Sequence, residues 1–310
     1  MIQLSIIIPM YNVEKYIHKC IHSVVQNNLK RDDFEIIIVD DESPDKSLSI
    51  ATGIAKEFDN ITIISQKNKG LGGARNTGIQ NAKGKYVLFL DSDDFYTPNS
   101  LQNILKIAFD NELEILEFGA IVVDSTNKII STVAISTENK IFDGIYYWQN
   151  FNSINSACNK LYLKEFLISN SILFKEKIYA EDYEFNTRAL YFAKKVMATE
   201  YIVANFLTST NSITRNKTDN TKEKYRRDLI SILEHIIKFE SNNPTNTTFF
   251  KERLSLLNVD LFLLMLKNNF SFKEISKTKK ELKEKNILQL DFKLRNFKKN
   301  ILRIILHRFF

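Results

Sequence analysis

At 310 residues, 44% hydrophobic and 26% charged, the chain has a globular composition and enough length to bury a sizeable core in one large or two moderate domains. No apolar run reaches the roughly 18 to 20 residues of a membrane span, LFLLML (261–266) being far too short, and the start MIQLSIIIPMYNVEKY lacks the basic opening and cleavage site of a signal peptide. The net charge of +6 is unevenly spread, because residues 215–310 hold 22 Lys and Arg against 11 Asp and Glu while the first 214 residues are net acidic.

In chain order, LSIIIP (4–9) reads as a buried strand, and Glu14 to Leu29 carries Ile17, Ile21, Val24 and Val25 at helical spacing. FEIIIVD (34–40) is a second buried strand. After the turn ESPD, Asp45 or Ser47 can cap a helix to about Phe58, and ITIIS (61–65) is a third strand. The Gly-rich loop NKGLGGARNTG leads into a short helix near Arg75 to Ala82, and YVLFL (86–90) is a fourth strand. Continuous apolar strands alternating with helices predict a parallel sheet covered on both faces. In such sheets the ligand crevice lies outside the carboxyl ends of the strands, which here read PMYN, VDDESPD and LDSDD.

From about Glu114 the pattern loosens. EILEFGAIVVD and KIISTVAI suggest further strands of antiparallel kind, FLISN and EDYEFNTRALYFAKK suggest helices, and VMATEYIVANFLT a late strand. After NSITRN (211–216) the chain reads as helical, so a soft boundary near Arg215 separates residues 1–214 from a basic helical region, 215–310. The two cysteines, Cys20 and Cys158, form no C-x-x-C or Cys/His cluster, which argues against a zinc site or disulfide framework and fits a reducing cytoplasm. The basic half carries no nucleic-acid motif, so nucleic acid is not an expected partner.

Four stretches can carry chemistry. In DSDD, Asp91 and Asp93 stand at i and i+2 after a strand, a spacing that can coordinate one hard divalent ion while leaving positions for phosphate oxygens; a solvated or helix-capping acidic turn is the competing reading. VDDESPD adds Asp40 and Asp41, which can accept from a base N–H or a ribose, or close an Asx-type turn. KNKGLGGARNTG offers Lys69, Gly70, Gly72 and Arg75, but it is no P-loop, and G-x-G-x-x-G is absent after the first strand. IYAEDYEF places Glu181 and Asp182 at a helix start, as a general base or as dipole-favourable capping.

Taken in order, SIIIPMYNVEKYI, IIIVDDESPDKS, NKGLGGARNTGI, AKGKYVLFLDSDD, NKLY (159–162), AEDYEF and NSIT resemble a family 2 glycosyltransferase over roughly residues 4–214. The resemblance implies a GT-A fold: an α/β, Rossmann-like, mostly parallel sheet flanked by helices, followed here by the helical C-terminal region. It implies an inverting transferase that uses Mn²⁺ or Mg²⁺ and a nucleotide sugar, with UDP as the implied nucleotide. Pro9, Tyr11, Asn12 and Glu14 would border the donor base and ribose; Asp40 would hold the base, with Asp41 close by. Lys69, Gly70, Gly72, Arg75 and Asn76 would flank nucleotide and sugar. Asp93 would be the more direct metal ligand, with Asp91 nearer the ribose and Ser92 between them. Asp182 would be the catalytic base and Glu181 its neighbour near the acceptor, a glycan or lipid-linked glycan of bacterial surface polysaccharide assembly.

Departures matter too. The family usually has D-D-G-S-x-D, and Glu42 stands where glycine is common; Cys158 stands where an aromatic often precedes N-K-L-Y; and the Q-x-x-R-W motif of processive synthases is absent, which favours single addition. Two rival readings are a nucleotidyltransferase, disfavoured because PMYNVEKY is neither Gly-rich nor basic, and a non-catalytic membrane-associated partner. Finally, residues 293–310 hold six Lys and Arg and no acid, with Leu294, Phe297, Ile301, Ile304, Ile305 and Phe309 near one face. That pattern fits an interfacial helix on anionic lipid at the inner face of a cell membrane, or equally a terminal helix packed on the body. A homodimer is left open.

Overall fold

The computed structural model describes residues 2–208 and 218–309; the NSIT stretch lies outside them. Its first part is built from β1 (Leu4–Met10), α1 (Ile17–Val25), β2 (Phe34–Asp40), α2 (Ser47–Ala55), β3 (Ile61–Ser65), α3 (Gly70–Asn81) and β4 (Tyr86–Phe89). β1 lies parallel to β2 on one side and to β4 on the other, and β2 is parallel to β3. The register aligns Met10 with Asp40 and Asp40 with Ser65, so the polar carboxyl ends reach one edge together. Every residue of β1, β2 and β4 is buried, as strands covered on both faces require.

The sheet continues through β5 (Phe95–Tyr96), α4 (Leu101–Asp110), β6 (Ile115–Val123), β7 (Ile129–Val133), α5 (Gly144–Asn150), β8 (Lys160–Leu163), α6 (Lys164–Ser169), α7 (Glu181–Phe192) and β9 (Val196–Leu207). Among the described residues it has nine strands in the order β3-β2-β1-β4-β8-β6-β9-β5, with β7 added on β6. β8 runs antiparallel between β4 and β6, and β6 is parallel to β9. The chain therefore has the α/β sheet that its pattern predicts, with antiparallel character entering after Glu114. NKLY supplies strand β8 and was not legible as a strand, because four residues are too few to show a period.

Four helices follow: α8 (Asp219–Asn242), α9 (Thr247–Lys267), α10 (Phe272–Glu284) and α11 (Phe297–Phe309). The chain divides into two compact units, Met1–Lys177 with Arg188–Ser209, and Ile178–Thr187 with Thr210–Phe310. No helix among the described residues is long and apolar enough to cross a membrane.

One expectation about local structure changes. The glycine-rich segment is not a loop leading to a helix at Arg75; the helix starts at Gly70. Glycine is poor inside a helix on propensity alone, and packing overrides it: a Cβ on Gly72 would lie 2.3 Å from the Lys175 carbonyl oxygen. Gly70 itself has φ +74, with the Lys177 backbone 3.1 Å from where a Cβ would be.

The lysine of NKLY serves the sheet. Lys160 faces Glu117 across β6–β8, both are buried, and they pair at 3.3 Å. Tyr147 and Asn159 also donate to Glu117, at 2.9 and 3.2 Å, while Lys160 donates to the carbonyls of Ile154 and Ser156. The pair thus organises the segment 151–159. A buried charge left without its partner is costly. Lys160→Met is expected to destabilise the protein by about 3 to 5 kcal/mol, read from the urea midpoint; a loss below about 1 kcal/mol, the range of exposed pairs, would contradict this account.

Candidate active site

The carboxyl edge of β1, β2 and β4 gathers most of the residues that the sequence singles out. Pro9 lies opposite Val39 near the end of β1; beyond the strand, Tyr11 is exposed and Asn12 adopts φ +55. Glu14 and Asp45 tie two loops together: the Glu14 amide donates to Asp45 (2.8 Å) and the Glu14 carboxylate accepts from the Lys46 amide (3.1 Å). Asp45 also accepts from Ser47, whose hydroxyl accepts from the Val13 amide. Asp45 and Ser47 therefore share the start of α2.

Asp40 ends β2 buried and accepts from the Ser43 amide (3.2 Å). Asp41 is more committed. Its carboxylate accepts from the amides of Lys69 and Gly70, both at 2.8 Å, and from the Gln66 side chain at 2.7 Å. It satisfies amides at the N-terminus of α3, where a negative charge is favoured. Glu42 takes the left-handed conformation, φ +68, that glycine adopts freely, at a cost of about 1 kcal/mol or more, and its carboxylate accepts from the Asn68 amide. The turn thus keeps a glycine-like backbone around a non-glycine residue. Asn76 clamps the backbone of Phe174 in both directions, donating at 2.9 Å and accepting at 2.8 Å.

The aspartates after β4 meet different fates. Asp91 accepts from the guanidinium of Arg75 at 2.7 Å; that arginine, on α3, is fully buried, whereas the Asp91 side chain is 31% exposed. Cys158 lies against the same guanidinium (Sγ to Nη2, 3.6 Å), and the Cys20 thiol donates to the Asp91 carbonyl (3.7 Å). Burial and the aspartate charges push the Cys20 thiol well up. Asp94 is buried and accepts from the Leu207 amide at the end of β9, so it anchors a strand. Burial, then the charges of Asp93 and Asp91, raise its carboxyl well above the usual range. Burial first and Asp91 second push Asp93 up to about 6. Ser92 is buried between them.

These residues fit a divalent cation. Negative charge accumulates faster than Arg75 can answer it, and the carboxyls of Asp93 and Asp94 both hold their protons more tightly than an ordinary aspartate. Among the described residues no group of three or more His, Cys, Asp or Glu is arranged to hold a metal. Asp93 and Asp91 are the residues that would hold such an ion.

Glu181 and Asp182 form the first turn of α7, after Ala180 at φ +60. They belong to the second unit. There Arg253 of α9, fully buried, donates to the Tyr183 carbonyl and to the Thr187 hydroxyl, each at 2.9 Å, while the Tyr183 hydroxyl donates to the Arg253 carbonyl. Tyr225 of α8 sits amid acids: burial, then the charges of Glu181, Asp260, Asp182 and Asp228, push its hydroxyl up to about 12. Tyr179 packs its ring on Tyr225 at 5.7 Å, and its amide donates to Asp228. Sequence reasoning did not single out Tyr225, Asp228 or Asp260, which lie in two segments that read only as helical.

The profile of glycosyl transferase family 2 matches residues 5–170. The chain is 34% identical over 216 residues to the uncharacterized glycosyltransferase EpsJ of Bacillus subtilis, covering 68% of this chain and 62% of EpsJ. It is 28% identical over 244 residues to the poly(ribitol-phosphate) beta-N-acetylglucosaminyltransferase TarP of Staphylococcus aureus, covering 76% of this chain and 72% of TarP. The crystal structure of S. aureus TarS 1–349 in complex with UDP-GlcNAc shares the fold, with a TM-score of 0.72 at 21% identity over 88% of this chain and 77% of that one.

Asp93 also makes stability depend on pH. An unfolded aspartate titrates near about 3.9, so between about pH 4 and 6 the folded state binds more protons than the unfolded state. The ion-free protein therefore loses this contribution as pH rises through that window. Asp93→Asn is expected to gain melting temperature relative to wild type from about pH 4 to 6 and to hold a constant difference above it; a constant difference throughout would contradict the assignment.

Proposed function

The chain belongs to glycosyltransferase family 2, and from that premise we propose that it is an inverting, divalent-metal-dependent transferase that moves one sugar from a nucleotide sugar to a glycan or lipid-linked glycan. Residues 1–214 would be its catalytic domain, of which Ile178–Thr187 belongs to the second compact unit, and 215–310 a helical, basic region. UDP is the proposed nucleotide, in keeping with the fold shared with TarS, which was crystallised with UDP-GlcNAc. Bacterial surface polysaccharide is the proposed setting, in keeping with TarP, whose name places its acceptor as poly(ribitol phosphate). The basic segment 293–310 would hold the enzyme at an anionic membrane surface.

The observation that carries the reading is the concentration of charge at the carboxyl edge: Asp91 on the buried Arg75, and Asp93 beside it with a carboxyl pushed up to about 6. Asp93 and Asp91 would hold the ion, which when bound supplies Lewis-acid neutralisation of diphosphate charge. Arg75 fixes the orientation of Asp91 through a charge-assisted hydrogen bond. Asp40 would receive the base, with Tyr11, Asn12 and the start of α3 bordering the donor.

In the transfer the acceptor oxygen forms a bond to the anomeric carbon as the bond to the diphosphate oxygen breaks on the opposite face; the nucleoside diphosphate leaves with the electron pair, and the configuration inverts. Asp182 would take the acceptor proton. A carboxylate favoured in its ionised form by the N-terminus of α7 is a modest base, which suffices because the hydroxyl becomes acidic only as the new bond forms.

Asp182→Asn is expected to lower transfer by about 10² to 10⁴-fold, measured by product analysis in a screen of nucleotide sugars with Mn²⁺, while calorimetric UDP binding stays near that of wild type. Unchanged turnover would remove Asp182 from its role. Asp93→Ala is expected to weaken Mn²⁺-dependent UDP binding by about tenfold or more; equal binding with and without Mn²⁺ in wild type would remove the metal from the reading.

A further inference from the structure

The terminal helix α11 is packed on one side and bare on another. On the packed side Leu306 is buried, Lys299 pairs with Asp260 of α9 at 2.6 Å, Arg303 donates to the Leu290 carbonyl, and Lys279 of α10 donates to the Leu306 carbonyl. Yet Phe297 is 76% exposed and Ile301, Ile304 and Ile305 are 37 to 43% exposed. These four recur at i, i+4, i+7 and i+8, so they form one stripe. Exposed Lys298 and Arg308 fall on the same stripe by spacing. The Phe309 side chain lies outside the described residues. Packing has used the opposite face and left an apolar, cation-edged one, at variance with a terminal helix whose solvent face is simply basic.

Beside α11 lies a cavity of about 520 Å³, lined by Lys279, Lys283, Asn286, Gln289, Asp291 and His307 among others. Lys279 and Lys283 are one turn apart on α10, where like charges oppose each other. Burial and the Lys283 charge lower the Lys279 proton affinity. The one acid in the lining, Asp291, shares a hydrogen bond with His307 at 2.9 Å, and against its single charge the two lysines leave the cavity net positive. Side-chain amides of Asn286 and Gln289 add neutral donors. Cations with hydrogen-bond donors in a concave site suit a phosphate oxyanion.

We propose that this unit docks on an anionic phospholipid bilayer, with the Phe297–Ile305 stripe of α11 in the acyl boundary and the cavity between α10 and α11 taking a headgroup phosphate. The assignment rests on the membrane-surface reading of residues 293–310 and adds to it the inserting side chains and a phosphate site. Charge selects the occupant: of the six Lys and Arg in segment 293–309, Lys299 and Arg295 pair with Asp260 and Glu252 of α9, while Lys293, Lys298 and Arg308 are exposed with no acid in the segment beside them, which suits a negative surface, and each cation near such a surface strengthens attachment. The arrangement would bring the enzyme to the plane in which a lipid-linked acceptor resides.

Flotation of the full chain on vesicles of phosphatidylcholine alone, and of phosphatidylcholine mixed with phosphatidylglycerol, tests the assignment. The chain is expected to float with the mixed vesicles and not with the neutral ones. Ile301→Ser with Ile304→Ser should abolish flotation, and Lys283→Gln should weaken it about fivefold, both with calorimetric UDP binding unchanged. Equal flotation on the two vesicle types, or none on either, overturns the proposal, as does stripe-dependent self-association without vesicle binding. Unweakened flotation of Lys283→Gln overturns the headgroup site, and so does saturable binding of inorganic phosphate that leaves flotation unchanged. Loss of UDP binding by the wild-type chain would count against the transferase reading and leave the flotation outcome standing.

Discussion

Three carboxylates within four residues, at the end of a fully buried strand, set the constraint around which the site is built. Asp91, Asp93 and Asp94 repel one another in a place that water reaches poorly, and each finds a different answer. Asp91 has the guanidinium of Arg75, Asp94 has the amide of Leu207 together with a raised proton affinity, and Asp93 has a raised proton affinity alone. Arg75 can stand buried because Asp91 accepts its charge, and α3, which carries it, begins where Asp41 takes the amides of Lys69 and Gly70. One acid therefore supports the helix, the helix supports the cation, and the cation supports the second acid.

Seen this way, the motif blocks divide into residues that build and residues that remain open to chemistry. Asp41, Glu14 and Asn76 have their polar atoms engaged by backbone, Gly72 is set by the approach of Lys175, and Lys160 balances Glu117 inside the sheet. The Asp40 carboxylate accepts from the Ser43 amide, Tyr11 is exposed, and Asp91 and Asp93 face a partly open edge. Buried polar groups need partners, so a motif with many polar residues must devote most of them to one another. Cys158, which sequence comparison marks as a departure, lies against Arg75, so the substitution touches the cation that orients Asp91.

In the helical unit, charge is organised around two large side chains. Arg253 binds the first turns of α7 to α9, and Tyr225 stands among Glu181, Asp182, Asp228 and Asp260. The base proposed for the reaction thus sits on a helix end that α8 and α9 hold in place. α11 closes the unit with Leu306 inside and its isoleucines outside, a division that helical periodicity alone cannot make because the segment has apolar residues around much of its circumference.

The sequence by itself determined the alternation of apolar strands and helices through β4, the edge at which the candidate site residues gather, and the family, because these depend on local period and on ordered motifs. It also located Asp91, Asp93, Glu181 and Asp182. It left undetermined the start of α3, since glycine's helix cost is outweighed by packing against residues 174–177 that lie a hundred positions away. Likewise it could not distribute roles among the aspartates. Only the tertiary structure decided that Asp94 anchors β9, that Asp41 caps a helix, that Lys160 is buried on Glu117, and which face of α11 is covered. In each case the deciding partner is distant in sequence, and burial turns a choice that costs little in water into one that a specific hydrogen bond or ion pair must settle.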